Sequence, residues 1–104
     1  MVRHIVAWNF VDGLTEEEKA KHAEKIKKEL ENLKNILEGI VSMAVLTKSI
    51  DTSDADLMLD SLFETEEALK AYTIHPEHVR VAKAYVRPVT KNRKCLDFYE
   101  NFQL

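Results

Sequence analysis

The sequence predicts a single α+β domain of β-α-β-β-α-β order, a four-stranded antiparallel sheet with its helices on one face. Three observations predict it. Residues 2–11 alternate like a strand, residues 16–37 carry an apolar stripe at helical spacing, and the remainder supplies two more strands, a second helix and a last strand. At 104 residues the chain suits one domain rather than two.

In the first strand Val2, His4, Val6, Trp8 and Phe10 share one face, and Arg3, Ile5, Ala7, Asn9 and Val11 the other. Both faces are largely apolar, so both should be covered. Asp12-Gly13 turns the chain, and Thr15 stands as an N-cap with Glu18 three residues on, as a capping box requires. The helix from Glu16 to about Leu37 directs Ala23, Ile26, Leu30, Leu33 and Leu37 inward, and Glu38-Gly39 stops it. Ile40 to Lys48 reads as the second strand, with Val41, Met43, Val45 and Thr47 on one face. The polar stretch Ser49–Asp54 is a loop.

The third strand runs from about Ala55 to Glu64, with Leu57, Leu59 and Phe63 opposite Asp56, Met58, Asp60, Leu62 and Glu64. Thr65 caps a second helix whose inner stripe holds Ala68, Leu69 and Tyr72. His75-Pro76 interrupts it, because proline excludes the preceding residue from the helical region and favours a fresh start. Val79, Ala82 and Val86 carry the second piece to Arg87-Pro88, and the last strand spans about Asn92 to Phe102.

Two helices cover one face of such a sheet, yet strands one, three and four are apolar on both. Ile5, Ala7, Met58 and Leu62 would leave a patch larger than a monomer usually exposes. The expectation is a homodimer with sheets packed face to face around a two-fold axis.

Composition narrows the partners. Net charge is −3, and Lys25, Lys27 and Lys28 alternate with Glu24, Glu29 and Glu31, so no basic stripe invites nucleic acid. Cys95 is the sole cysteine, which excludes an intrachain disulfide and a cysteine zinc cage. No apolar run approaches the roughly 18 residues of a membrane span, and no signal-peptide pattern opens the chain. A cytoplasmic location is the expectation.

The residues that could carry chemistry are His4 and the spaced set Tyr72, His75 and His78, which converge if the His4 face meets the second helix. A neutral imidazole can act as general base, and a phenol can donate a hydrogen bond to a developing oxyanion. The plainer alternative makes His75 and His78 caps and His4 a satisfied core group. His4, His75 and His78 lack the spacing of a metal motif, so no metal and no cofactor is expected. Asp56 and Asp60 read as a solvated strand end and an interface polar group, Cys95 as a small packed residue, and Trp8 as core or as a cleft wall.

Three stretches together resemble the stress-responsive α/β-barrel (Dabb) domain family. They are Arg3-His4-Ile5-Val6, the Phe10–Glu17 turn, and Ala71-Tyr72-Thr73-Ile74-His75-Pro76-Glu77-His78-Val79; Leu96-Asp97-Phe98-Tyr99 is similar to that family's last strand. The resemblance implies a ferredoxin-like domain that dimerises through its sheets into a barrel. Some members are cofactor-free polyketide cyclases, which implies a base role for His78, a substrate-orienting role for Tyr72 and a pocket lined by His4. By the same resemblance Trp8, His75, Ala23 and Ile26 fall around the ligand. The sequence departs from the cyclase pattern at Leu57, where those enzymes carry a histidine, and at Ala23 and Ile26, where their tunnel has larger rings. The function implied is small-molecule binding, with cyclase- or lyase-like acid/base chemistry as its sharper form. The alternatives are a non-catalytic dimerisation module and, third, heme handling as in other dimeric ferredoxin-like proteins.

Overall fold

The sheet that organises the chain has the strand order β2-β3-β1-β4, every neighbouring pair antiparallel. The computed structural model describes residues 1–100. Its elements are β1 (Val2–Phe10), α1 (Glu16–Asn32), β2 (Ile40–Leu46), β3 (Leu57–Phe63), α2 (Glu66–Ile74), α3 (Pro76–Val81) and β4 (Thr90–Tyr99). This is the α+β architecture the sequence predicts, the helices together on one face. The expected continuation of β4 to Phe102 lies outside the described residues.

Local chemistry starts each helix where expected. Thr15 Oγ1 accepts from the Glu18 amide at 3.1 Å, and the Glu18 carboxylate accepts from the Thr15 amide at 2.9 Å, closing the capping box. Those contacts hold the Glu18 carboxyl below its usual range. α1 buries Ala23, Ile26 and Leu30, then tightens into a 3₁₀ turn, Leu33–Asn35, that buries Leu33. Gly39 follows at φ +82, and a side chain there would meet Ala68 Cβ at 2.6 Å. Glycine is required at this position on both counts.

β1 alternates as expected, with Val2, His4, Val6, Trp8 and Phe10 buried. β2 departs from expectation. A register shift between Ile40 and Ser42 leaves Val41 as an extra residue, so Ile40 joins Met43 and Val45 on the buried face and Val41 does not. A bulge of this kind reverses the alternation on one side of itself, which no two-residue period can anticipate. The β2 edge is tied to α1: the Val45 amide donates to Glu31 at 2.9 Å, and Lys27 Nζ donates to the Val45 carbonyl at 3.0 Å. An edge strand so engaged is a poorer template for stray pairing.

The outer face of the sheet carries Ile5, Ala7 and Met58, all half-buried, beside Leu96 and Phe98 of β4, which are 46% and 62% exposed. Leu62 was expected among the exposed residues but is only 8% exposed, flanked across the register by Arg3 and Ser42. Arg3 bridges Asp60 at 3.0 Å and Glu100 at 2.7 Å on this side. Asp60 is thus a paired polar group on the outer face. Asp56 accepts from the Phe10 amide at 2.9 Å at the strand's start.

Candidate functional site

Between the inner face of the sheet and the second helical layer lies a cavity of about 400 Å³, within the range of small-molecule sites. Strands and helices both wall it. β1 and β3 contribute His4, Val6, Trp8 and Leu59; α2 contributes Tyr72 and Thr73; the segment after α2 contributes His78, Ala82, Val86 and Arg87. Leu30 closes the side toward α1, and Arg93 of β4 completes the rim.

The helix break makes this convergence possible. His75 is extended at φ −64, ψ 135, so α2 ends and α3 restarts in a new direction at Pro76. The change of direction folds His78 back over Tyr72, with ring centroids 4.3 Å apart and planes at 41°. Tyr72 in turn packs edge-on to His4 at 6.1 Å and tilted against Phe63 at 5.0 Å. After α3 the chain widens into a π turn, Ala82–Val86, before a 3₁₀ turn, Arg87–Val89. Such widened turns carry a packing irregularity that helical periodicity cannot foresee, and they recur at functional sites.

Each polar group has a distinct state. His78 Nδ1 lies 3.1 Å from the Thr73 carbonyl, which only accepts, so the imidazole donates there and keeps its Nε2 lone pair. Burial pushes its pKa below the ordinary value, against the opposing carbonyl contact and with help from His4 and two arginines. His78 is therefore neutral near pH 7. Tyr72 is 2% exposed, and its hydroxyl has no hydrogen-bond partner among the described residues. Burial pushes the phenol's pKa far up, so it stays a donor. Because less than 1 Å² of that oxygen is accessible, a ligand reaches it only when a neighbouring side chain adjusts.

His4, 4% exposed, donates from Nδ1 to Asp97 of β4 at 2.5 Å. Asp97 faces His4 directly across the β1–β4 register. Cys95, two residues away on the same face, is exposed rather than packed, on a strand at the edge of the sheet. Its Sγ lies 3.8 Å from His4 Nδ1 and 3.5 Å from Asp97. Partial burial, then the Asp97 contact, pushes its thiol pKa up, which keeps it a poor nucleophile. His4, Cys95 and Asp97 form a possible three-ligand set.

Of the residues singled out from sequence, His4, Trp8, Tyr72 and His78 meet at one cavity. His75, Ala23 and Ile26 do not line it. His75 caps α3, its Nδ1 accepting from the Glu77 amide at 3.1 Å, and Ala23 and Ile26 belong to the core beneath α1. Sequence reasoning missed Asp97, Arg87 and Arg93. Asp97 carried a signal, an acid interrupting the apolar run of a closing strand; the arginines carried none.

Comparisons with known proteins agree with this architecture. No curated protein matches the chain. A solved dimeric protein of unknown function and ferredoxin-like fold from Bacteroides fragilis is 28% identical, with TM-score 0.85 over 93% of each chain. A Dabb family protein of ferredoxin-like fold from Mesorhizobium loti is 19% identical, with TM-score 0.74 over 96% of each chain. A hydroxynitrile lyase from Passiflora edulis is 21% identical, with TM-score 0.78 over 99% of this chain and 95% of its own. The last two likenesses speak to fold alone. Residues 2–100 match the family described as the stress responsive A/B barrel domain, Dabb. With its ferredoxin-like fold, the chain belongs to that family.

Proposed function

We propose that the cavity between sheet and helices binds a small organic molecule and moves a proton on it without a cofactor. His78 is the proton acceptor, and the Tyr72 hydroxyl is the hydrogen-bond donor to the oxygen that gains charge. The observation that carries this reading is the Tyr72 hydroxyl, buried and unpartnered among the described residues beneath the ring of a neutral histidine. A buried hydroxyl with no partner costs about 1–3 kcal/mol, a cost at odds with a purely structural role.

In the step this site favours, a C–H bond next to a carbonyl breaks and its proton forms an N–H bond at His78 Nε2. The electron pair moves onto the carbonyl oxygen, where the phenol stabilises it. The pair then returns from oxygen to carbon, which takes the proton back from His78, or it expels a group on the next carbon, whose bond to carbon breaks and which takes that proton. Trp8, Val6 and Leu30 supply apolar wall, so the ligand's body is largely carbon. A hydroxynitrile lyase shares the fold, consistent with proton transfer on this scaffold.

The working unit in this proposal is a homodimer through the outer face of the sheet. The support is the exposure of Leu96 and Phe98 beside the half-buried Ile5 and Met58, and the description of the Bacteroides fragilis relative as dimeric. Native mass spectrometry tests both parts together. The expected result is the mass of two chains with an organic adduct that His78→Ala loses while the dimer persists. An adduct retained at full occupancy in that variant would remove His78 from the site.

A second reading has one observation in its favour. His75 caps α3 and His78 bonds the Thr73 carbonyl, so both act structurally whatever else they do. A dimerisation module without a ligand then predicts that Tyr72→Phe lowers stability, opposite to the outcome the ligand-binding reading requires.

A further inference from the structure

The chain has four arginines. Arg3 is held by Asp60 and Glu100, and Arg80 by Glu77 and Glu29. The other two, Arg87 and Arg93, both line the cavity. Among the described residues neither has a carboxylate within 4.0 Å. In a chain with 18 acidic residues against 15 basic ones, chance exposure would more often leave an acid unmatched than a guanidinium.

Arg93 is placed there by a specific backbone device. Ala7 pairs with Lys94 and Asn9 with Lys91, so Asn92 and Arg93 together oppose Trp8. The extra residue is accommodated by Asn92 at φ 56, a conformation asparagine tolerates better than most residues. Bulges of this type re-aim a side chain beside a site. The Arg93 guanidinium is near enough to oppose the upward shifts of the Tyr72 and Cys95 pKa values and to add to the lowering at His78. Arg87 comes to the same cavity from a different element, the 3₁₀ turn that follows the π turn.

We propose that the ligand of this cavity is a small organic acid whose anionic head, carboxylate or phosphate, sits between Arg87 and Arg93. The proposal rests on the cavity being a ligand site and adds the chemical class it takes. A guanidinium presents paired donors that match the oxygens of either anion. Holding the head at the rim fixes the direction of the molecule, its carbon chain lying along Trp8 and Val6 toward Tyr72 and His78. Orientation of this kind is what proton abstraction at one carbon needs.

Hexanoate, hexyl phosphate and the uncharged isostere hexanamide, titrated into the ¹⁵N-labelled protein and followed by NMR, test it. The expected result is that at least one acid binds about tenfold tighter than the amide. That margin should shrink at high salt, because the rim is exposed. The tighter of hexanoate and hexyl phosphate identifies the head. Arg87→Gln with Arg93→Gln should abolish the preference while leaving amide binding and the thermal midpoint unchanged. Equal binding of acid and amide by the wild type, or a preference that survives both substitutions, overturns the anion claim and leaves the cavity standing. Failure of all three probes to shift the amide signals of Tyr72 and His78 removes the cavity reading itself.

Discussion

Replacing Tyr72 with phenylalanine removes a single oxygen, and the structure sets the sign of the result. The ring is 2% exposed and packs on Phe63, His4 and His78, contacts that phenylalanine keeps. The hydroxyl has no partner among the described residues, so burial withdraws it from water with nothing in return. Relieving an unsatisfied hydroxyl recovers part of its 1–3 kcal/mol penalty, and a gain of about 1 kcal/mol is the working figure. For a domain near 100 residues that is a rise of roughly 4–8 °C in Tm. Urea unfolding of wild type and Tyr72→Phe at equal protomer concentration measures it, since the proposed dimer would make apparent stability concentration-dependent. The same variant should lose the ligand adduct. A Tyr72→Phe protein less stable than wild type by about 1 kcal/mol would show that the hydroxyl is bonded within the fold, and the argument that it awaits a ligand would fail.

Gly39→Ala should destabilise the chain by about 2–4 kcal/mol, from left-handed backbone strain together with overpacking where Ala68 Cβ stands 2.6 Å away; chemical denaturation reads it directly, and a loss below 1 kcal/mol would mean that α2 shifts to make room. The pH dependence follows from His78, whose folded pKa is lowered by burial. Its contribution is complete above the ordinary imidazole value of 6.5 and is lost as pH falls through the lower folded value, because the unfolded chain binds the proton first. Wild type should therefore lose stability between pH 7.5 and the acid side of that window, and His78→Gln should flatten the slope; parallel slopes would place the titration elsewhere. Phe98→Asp, at a position 62% exposed on the outer face, should weaken the dimer by about thirtyfold or more in sedimentation velocity. An unchanged association constant would move the interface off this face.

What the sequence made legible was whatever repeats locally. The alternation from Val2 to Phe10, the Thr15–Glu18 capping box and the His75-Pro76 break each rest on neighbours in the chain, and each is present in the structure. Where expectation and structure part, one residue has been inserted into a period or the neighbours come from far along the chain. Val41 is the extra residue in β2, and Asn92 with Arg93 form the bulge in β4. Ala82–Val86 is a π turn where a regular helix was expected. Cys95 reads from sequence as a small packed residue, but the edge position of β4 leaves it open. Asp97 meets His4 only through a register joining the two ends of the chain. The site thus depends most on the features that local patterns carry least.

The three histidines tied to the site question share one side-chain chemistry and differ in what Nδ1 touches. At His75 that nitrogen accepts from the Glu77 amide, so the ring proton sits on Nε2 and the residue is committed to capping. At His4 it donates to Asp97, so the ring is tied to β4 across the β1–β4 register. At His78 it donates to a backbone carbonyl, which fixes the tautomer, and burial favours the neutral ring. His78 combines neutrality, an Nε2 with no partner among the described residues, and a place on the cavity wall. Proton acceptance falls to it on those grounds even without the family resemblance, and the His-Pro break that turns the chain over Tyr72 is what puts it there.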